Sequence, residues 1–236
     1  MILGEPGSGR SQATPQIISL RLPGCNAYAI RQHKTLLVDS GLIHDGNRLL
    51  YRLADLDLLD DLTLALATHG HADHTGGLAT VKQAAPERIK IAAHAAAVPF
   101  VEAGRNAPCR PATLLGYLAR PFIPLFASPP GVSVDVVIRD ELRLAPYGVD
   151  GTLVPTPGHT LGCVSVVLPG GRAVVGDLLM TAFGRGDEPR LPLFTEDVAL
   201  WKQSVDGLLN REVDTFYAGH GGPFSARQVR RLLERV

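Results

Sequence analysis

The side chains best suited to chemistry are concentrated in one short stretch, His-Gly-His-Ala-Asp-His at positions 69–74. His69, His71, Asp73 and His74 place three imidazoles and one carboxylate in a single loop. Imidazole nitrogen and carboxylate oxygen are ligands that suit zinc, iron or manganese. Four candidate ligands are more than one tetrahedral ion conveniently takes from one loop. The stretch therefore predicts two metal ions that share the cluster.

Three further candidate ligands follow strand-like segments later in the chain. His159 stands in the turn Thr-Pro-Gly-His-Thr at 156–160, Asp177 follows the apolar run 173–175, and His220 follows the run 215–218. Pro and Gly fix the backbone of such turns. We expect each side chain to lie just beyond the C-terminal end of a strand, so that packed sheets bring them to one rim. The sequence thus predicts one metal centre built from distant segments.

Composition and charge narrow the class of protein. The chain has 236 residues, of which 45% are hydrophobic and 19% charged, as in a globular protein with a substantial core. Lys plus Arg equals Asp plus Glu at 23 each, and the sequence has no basic run that would neutralise a phosphate backbone. We therefore expect no nucleic-acid partner.

The N-terminal segment and the cysteines indicate the compartment. Residues 1–15 are rich in Gly, Pro and Ser and lack an apolar run, which predicts a flexible tail and neither a signal peptide nor a membrane span. Cys25, Cys109 and Cys163 are widely spaced and form no Cys-x-x-Cys pair. This spacing is typical of buried or idle thiols in a reducing compartment. We expect a cytoplasmic protein with no membrane partner.

The hydrophobic pattern predicts two strand-rich halves with helices between and after them. The predicted strands are 17–22, 25–30, 35–38, 62–68, 89–93, 132–138, 141–144, 152–156, 163–168, 173–176 and 215–218. The main predicted helices are 47–56, 78–85, 196–209 and 225–236. Such an order indicates a β-sandwich flanked by helices. Trp201 and Phe194 are predicted to pack a helix onto the core, and His94 to be structural.

One segment does not follow this pattern. Residues 98–130 are apolar and interrupted by proline, which predicts a helical insertion within a single domain spanning 16–236. The insertion is either a lid over a pocket for a hydrophobic substrate, a packing surface for a partner as in a homodimer, or a segment that packs on its own core. The sequence does not choose among these three.

The ligand motifs resemble those of the metallo-β-lactamase fold superfamily. The resemblance runs from about Ile17 to the C-terminus and includes every ligand motif in the expected order. It implies an α+β fold of four layers, an αββα sandwich, with the metal site at one edge. It also implies that Asp39, at the end of a predicted strand, supports the metal loop through hydrogen bonds. A simple turn carboxylate is the other interpretation of Asp39.

The resemblance further implies how the ligands divide between two divalent ions. The first ion would take His69, His71 and His159, and the second Asp73, His74 and His220, with Asp177 bridging both. Zinc is the expected metal, and iron or manganese are the alternatives. Seven ligands lie in these motifs.

A water that bridges two divalent ions has its pKa lowered towards neutrality, which supplies hydroxide without a protein base. We therefore expect a hydrolase in which this hydroxide attacks a carbonyl centre of a small-molecule lactone, ester, thioester or β-lactam. Asp73 is the candidate catalytic residue, because a metal-bound carboxylate beside the water can accept its proton.

Comparison with known subfamilies narrows the substrate by exclusion. An aspartate at 177 differs from the β-lactamases that carry cysteine there, and Met180 stands where acyl-homoserine lactonases place tyrosine. Only sixteen residues follow His220, which leaves no room for the helical C-terminal domain of glyoxalase II. A phosphodiesterase, an iron-dependent oxidoreductase of the persulfide dioxygenase type and a metal-binding module without turnover remain alternatives. Arg185 and Arg190 are expected to be solvated and not to bind an anionic substrate.

Overall fold

The computed structural model describes residues 14–121, 128–181 and 188–236, in two six-stranded sheets. The first sheet holds, in spatial order, β1 (Gln16–Arg21), β2 (Asn26–Arg31), β3 (Thr35–Val38), β4 (Leu62–Leu66), β5 (Lys90–His94) and β6 (Val136–Ile138). The second holds β7 (Leu142–Arg143), β8 (Thr152–Pro155), β9 (Val164–Leu168), β10 (Arg172–Met180), β11 (Thr215–His220) and β12 (Phe224–Ser225). β3 to β6 pair in parallel, as do β10 and β11, and the other described pairs are antiparallel.

Seven α-helices are described, and five of them cover the outer faces of the sheets. The seven are α1 (Gly46–Asp55), α2 (Ala72–Thr75), α3 (Leu78–Ala84), α4 (Val98–Ala103), α5 (Leu114–Ala119), α6 (Val198–Asn210) and α7 (Ala226–Leu233). α1, α3 and α4 pack on the first sheet, and α6 and α7 pack on the second. No helix in the described ranges is long and apolar enough to cross a membrane.

Buried hydrophobic side chains form three layers between the sheets and the helices. The central layer joins the facing sides of the two sheets, with Ile30 and Leu64 from one and Val166 from the other. The two outer layers lie between each sheet and its helices. Alternating strand residues supply both faces, because successive side chains point to opposite sides of a sheet. The predicted four-layer αββα sandwich is confirmed.

The turn that carries His159 is held against α6. Gly158 has a φ of +143°, and a β-carbon there would lie 2.3 Å from the Cα of Trp201. Only glycine allows this approach. Trp201 is fully buried and donates from Nε1 to the carbonyl of Leu178 at 2.6 Å, so its predicted packing role is confirmed. α6 thereby ties the His159 turn to β10.

Two of the predicted strand limits are wrong in a way that matters for the site. We expected Asp177 and His220 just after their strands, but Asp177 lies inside β10 and His220 is the last residue of β11. β10 continues past the predicted end because Gly176, with a φ of +52°, absorbs an irregularity in the β10–β11 register. The segment 132–138 is shorter than predicted, since only its last three residues pair with β5.

Both ends of the proposed insertion are described, but residues 122–127 lie outside the described ranges. α4 belongs to the outer helical layer through Val101, whereas α5 leaves Leu114, Tyr117 and Leu118 exposed. Whether the segment is a lid or an interface stays a prediction. The tail predicted at 1–15 stays one as well, because residues 1–13 are not described.

Candidate metal centre

The loop at 69–74 leaves the end of β4, which runs parallel between β3 and β5. A buried strand is a rigid support, so the loop has little freedom at its start. His71 directly precedes α2, and His74 lies within it. His69 and His74 have no exposed surface and His71 has 6%. The three imidazoles are therefore held inside the protein.

Asp39 fixes this loop from beneath. It is 1% exposed and has a φ of +61°, a conformation that Asp tolerates better than most residues. Its Oδ1 accepts the backbone N–H of Thr68 at 2.8 Å. Its Oδ2 accepts the Thr68 hydroxyl at 2.9 Å and Nδ1 of His74 at 2.7 Å. Asp39 is thus a supporting carboxylate and not a simple turn residue.

Three imidazoles converge on one point above the loop. Nε2 of His69 lies 3.0 Å from Nδ1 of His71 and 3.3 Å from Nε2 of His159. Nδ1 of His71 lies 3.1 Å from Nε2 of His159. A tetrahedral zinc with Zn–N bonds of about 2.0–2.1 Å would have nitrogen–nitrogen edges of about 3.3–3.4 Å. The observed triangle is close to one face of such a site.

Hydrogen bonds on the far side of each ring direct its lone pair towards this point. The Thr68 hydroxyl donates to Asp39 and so accepts from Nδ1 of His69, 3.0 Å away. Nδ1 of His159 donates to the carbonyl of Phe194 at 2.7 Å. With these tautomers the inner nitrogens carry lone pairs that repel one another, and a cation between them removes the repulsion.

The third ring of this cluster has an unexpected partner. Nε2 of His71 lies 3.3 Å from Sγ of Cys109, and that sulfur lies 3.7 Å from the carbonyl of Ala107. The thiol donates to the carbonyl and accepts from the ring, which leaves the lone pair of His71 on Nδ1. Burial raises the pKa of Cys109 to about 11, so the thiol keeps its proton at neutral pH.

A second group of side chains lies beside the first. Nε2 of His220 lies 3.2 Å from Oδ2 of Asp73 and 3.4 Å from Oδ2 of Asp177. Nε2 of His74 lies 3.4 Å from Nε2 of His220 and 3.2 Å from Oδ1 of Asp177. That Oδ1 is buried and makes no well-aligned hydrogen bond with any described residue. A buried carboxylate oxygen that lacks a well-aligned hydrogen bond suits a cation ligand.

Asp177 also connects the two groups, since its Oδ2 lies 3.8 Å from Nε2 of His159. The structure therefore brings all seven predicted side chains together. Their ligand atoms form three overlapping sets whose members lie within 4.8 Å of one another. These sets are His69, His71 and His159, then His69, His74 and Asp177, then Asp73, His74 and His220.

Burial sets the charge of the first cluster. Burial lowers the pKa of His69, His71 and His159, because a charged ring in the interior would be deprived of hydration. The pKa of His71 falls to about 3. All three rings are therefore neutral near pH 7. Neutral imidazole is the form that binds a metal ion.

Carboxylates set the charge of the second group. Burial alone would lower the pKa of His74 and His220, but the negative charge of Asp177 has the larger net effect and raises both pKa values. Asp39 adds to this effect at His74, and the pKa of His220 reaches about 10. Burial likewise opposes ionisation of Asp73 and Asp177, yet the two imidazoles hold both carboxyl pKa values well below their usual range. A metal ion that binds here must displace protons from the two histidines.

A pocket of about 210 Å³ opens over both groups. Its lining includes five of the seven predicted ligands together with Ala72, Asn106, Cys109, Met180, Pro192, Leu193 and Phe194. The prediction that Phe194 packs a helix onto the core missed its position on the pocket wall, and the prediction of an idle thiol missed the contact of Cys109 with His71. His94 and Arg190 are not in this lining, and Arg185 lies outside the described residues.

Comparison with known proteins agrees with this architecture. The sequence model of the metallo-beta-lactamase superfamily matches residues 20–220. The chain is 26% identical to the probable metallo-hydrolase YflN of Bacillus subtilis, over 95% of this chain and 91% of the relative. It is 28% identical to the probable metallo-hydrolase MJ0888 of Methanocaldococcus jannaschii, over 83% and 87%.

Two solved structures share the fold. The metallo-β-lactamase MIM-1 of Novosphingobium pentaromativorans has a TM-score of 0.65 at 19% identity, over 89% of this chain and 80% of that one. TTHA1623, solved in a di-iron-bound form, has a TM-score of 0.65 at 24% identity, over 92% and 98%. The match of the family model over residues 20–220 shows that the chain belongs to the metallo-β-lactamase superfamily.

Proposed function

We propose that this chain is a dinuclear metal-dependent hydrolase that cleaves a small carbonyl substrate carrying an apolar group. The observation that carries the proposal is the convergence of five imidazoles and two carboxylates, five of which line one pocket. Two relatives that are probable metallo-hydrolases support hydrolysis as the type of reaction.

The residues present fit two divalent cations, of which zinc is the proposed species. His69, His71 and His159 would hold the first cation, and Asp73, His74 and His220 the second, with Asp177 between them. When bound, the cations supply Lewis-acid chemistry, in that they lower the pKa of water and polarise a carbonyl oxygen. The hydrogen bonds that the imidazoles donate to Thr68, Asp39, Cys109 and Phe194 keep the rings oriented for this role.

Asp73 is the proposed proton acceptor. Its side chain is 32% exposed and lines the pocket, whereas Asp177 is buried. Burial opposes ionisation of Asp73, but His74 and His220 hold its pKa well below the usual range, so the carboxylate is ionised at neutral pH. It is thus placed to take the proton of an attacking water and to pass it to the leaving group.

The apolar part of the pocket lining indicates the substrate. Met180, Pro192, Leu193 and Phe194 present apolar surface within the same cavity as five of the predicted ligands. An apolar substituent of the substrate gains by leaving water against this surface, at about 25 cal/mol per Å² buried. We therefore propose a lactone, ester or thioester with an apolar group.

The three cysteines are free thiols, which supports the proposed cytoplasmic location.

The test is a hydrolysis screen of purified, zinc-loaded protein against lactones, thioesters, aryl esters, cephalosporins and phosphodiesters. Asp177→Ala removes the carboxylate between the two groups, and Asp206→Ala on the exposed face of α6 is the matched control. We expect turnover of a carbonyl substrate that disappears only in Asp177→Ala. Turnover of phosphodiesters alone would replace the proposal with phosphoryl transfer, and no turnover sensitive to Asp177 would contradict it.

A further inference from the structure

We propose that the side-chain amino group of Asn106 donates a hydrogen bond to an oxygen atom of the substrate. The inference rests on the proposed function and specifies how the carbonyl compound lies in the pocket. Asn106 belongs to the loop between α4 and α5 and lines the pocket together with His71 and Asp73. The amide would therefore act beside the metal centre without being part of it.

The orientation of the Asn106 amide follows from one hydrogen bond. Its Oδ1 accepts the backbone N–H of Ala72 at 2.7 Å. An amide N–H requires an acceptor, and the alternative orientation of the carboxamide would place two donors face to face. The oxygen is therefore directed at Ala72, and the amino group at Nδ2 lies on the other side of the carboxamide.

The position of this amide is fixed relative to the metal loop. Ala72 stands between His71 and Asp73, so its bond to Asn106 joins the two loops at the centre itself. A second bond runs from the N–H of Ala107 to the carbonyl of Gly70 at 2.9 Å. Two such bonds hold a donor in place before a ligand arrives, which is the condition for strong electrostatic stabilisation.

The amino group is available to a ligand. Among the described residues, Nδ2 of Asn106 has no hydrogen-bond partner, while the side chain is half-buried in the pocket wall. The same pocket is also lined by the apolar side chains of Met180, Leu193 and Phe194. A hydrogen bond formed in such surroundings competes with less water than one at an open surface. A neutral donor of this kind is suited to a carbonyl oxygen, whose partial negative charge rises during nucleophilic attack.

The test separates the donor from the support given to Ala72. Asn106→Asp keeps an oxygen that accepts the Ala72 N–H but has no amino group, whereas Asn106→Ala loses both. Asn210→Asp, at the exposed end of α6, is the control for the added charge. In the zinc-loaded protein, we expect kcat/KM to fall about 100-fold in Asn106→Asp and in Asn106→Ala, as when a donor to a developing oxyanion is removed. Asn106→Asp and Asn210→Asp should keep the zinc content of the wild type.

A second readout does not depend on turnover. In ¹⁵N-labelled zinc-loaded protein, the side-chain amide signal of Asn106 is the one missing from Asn106→Asp. We expect an alkyl cyclopentanone, which has a carbonyl oxygen and no leaving group, to shift that signal and to bind Asn106→Asp at least 10-fold more weakly than wild type.

The outcomes distinguish this inference from the proposed function. Hydrolysis that is unchanged in Asn106→Asp, or that is lost only in Asn106→Ala, would overturn the donor role and leave the hydrolase standing. A ketone-induced shift of the Asn106 signal in a protein that hydrolyses nothing would overturn the hydrolase and leave the donor standing.

Discussion

Replacing Asp39 by Asn tests the support beneath the metal loop with the smallest possible change. The two side chains have the same shape, and Asn also tolerates the positive φ at this position. The amide oxygen can still accept the N–H of Thr68, as Oδ1 does at 2.8 Å. The amide nitrogen then replaces Oδ2, which accepts Nδ1 of His74 at 2.7 Å.

This exchange reverses the direction of the hydrogen bond between residue 39 and His74. Its Nδ1 must now accept a hydrogen bond and not donate one, so the neutral ring carries its proton on Nε2, the atom that faces Asp177 and His220. The cost is one hydrogen bond to a charged group, about 1.5–3 kcal/mol. Since about 1.4 kcal/mol corresponds to a factor of ten, zinc should bind the second group about 10–100-fold more weakly.

The assay is a competition titration of zinc against a chromophoric chelator, run on wild type and on Asp39→Asn. Asp45→Asn is the matched control, because Asp45 is also a buried carboxylate, yet it accepts the backbone N–H of Leu42 and does not contact the centre. We expect weaker zinc binding in Asp39→Asn, where the exchanged atom also loses the bond from the Thr68 hydroxyl that orients His69, and unchanged zinc binding in Asp45→Asn. Equal zinc affinity in wild type and Asp39→Asn would contradict this role of Asp39, as would an equal loss of affinity in both variants.

Three further predictions follow from other contacts. Gly219→Ala should lower both zinc content and stability, the latter by about 1–3 kcal/mol, because the new β-carbon would lie 2.6 Å from Oδ1 of Asp177; metal analysis and thermal unfolding would show it. Asp135→Asn should cost about 0.5–1 kcal/mol at pH 7, since Asp135 accepts from Lys82 at 3.0 Å and from the N–H of Ile91 at 2.8 Å. Burial opposes ionisation of Asp135, but these bonds hold its pKa below the ordinary 3.8. In urea unfolding, the difference in stability between wild type and Asp135→Asn should therefore be complete at pH values above 3.8 and disappear as the pH falls further. Removal of metal with a chelator should lower the melting temperature, with a stabilisation of about 2.7 kcal/mol restored at 100-fold excess of zinc over its dissociation constant; an unchanged melting temperature would contradict a folded-state metal site.

The local motifs made the metal centre predictable from the sequence. The spacing of His69, His71, Asp73 and His74 confines four candidate ligands to one loop. The Pro-Gly turn before His159 indicates a fixed backbone. The strands that carry them are continuous apolar runs, which determines both their type and their burial. For these reasons the sandwich and the convergence of the seven side chains could be predicted.

The rest depends on contacts between segments that no local pattern connects. Asn106 meets Ala72, and Cys109 meets His71, only because two loops pack side by side. Phe194 enters the site partly through its carbonyl, which any residue would supply. The extension of β10 past Gly176 depends on its pairing with β11 and not on the apolar run that precedes it.

If these seven side chains hold two cations that perform hydrolysis, activity must follow the amount of bound metal, and a metal titration of activity measures this dependence. Chelator-stripped protein would receive zinc in steps, with bound zinc and the rate of hydrolysis of the best carbonyl substrate measured at each step. We expect activity to be absent without metal and to rise until about two equivalents are bound, as a two-metal site requires. Full activity in the stripped protein, or a rate that does not follow bound zinc, would contradict it.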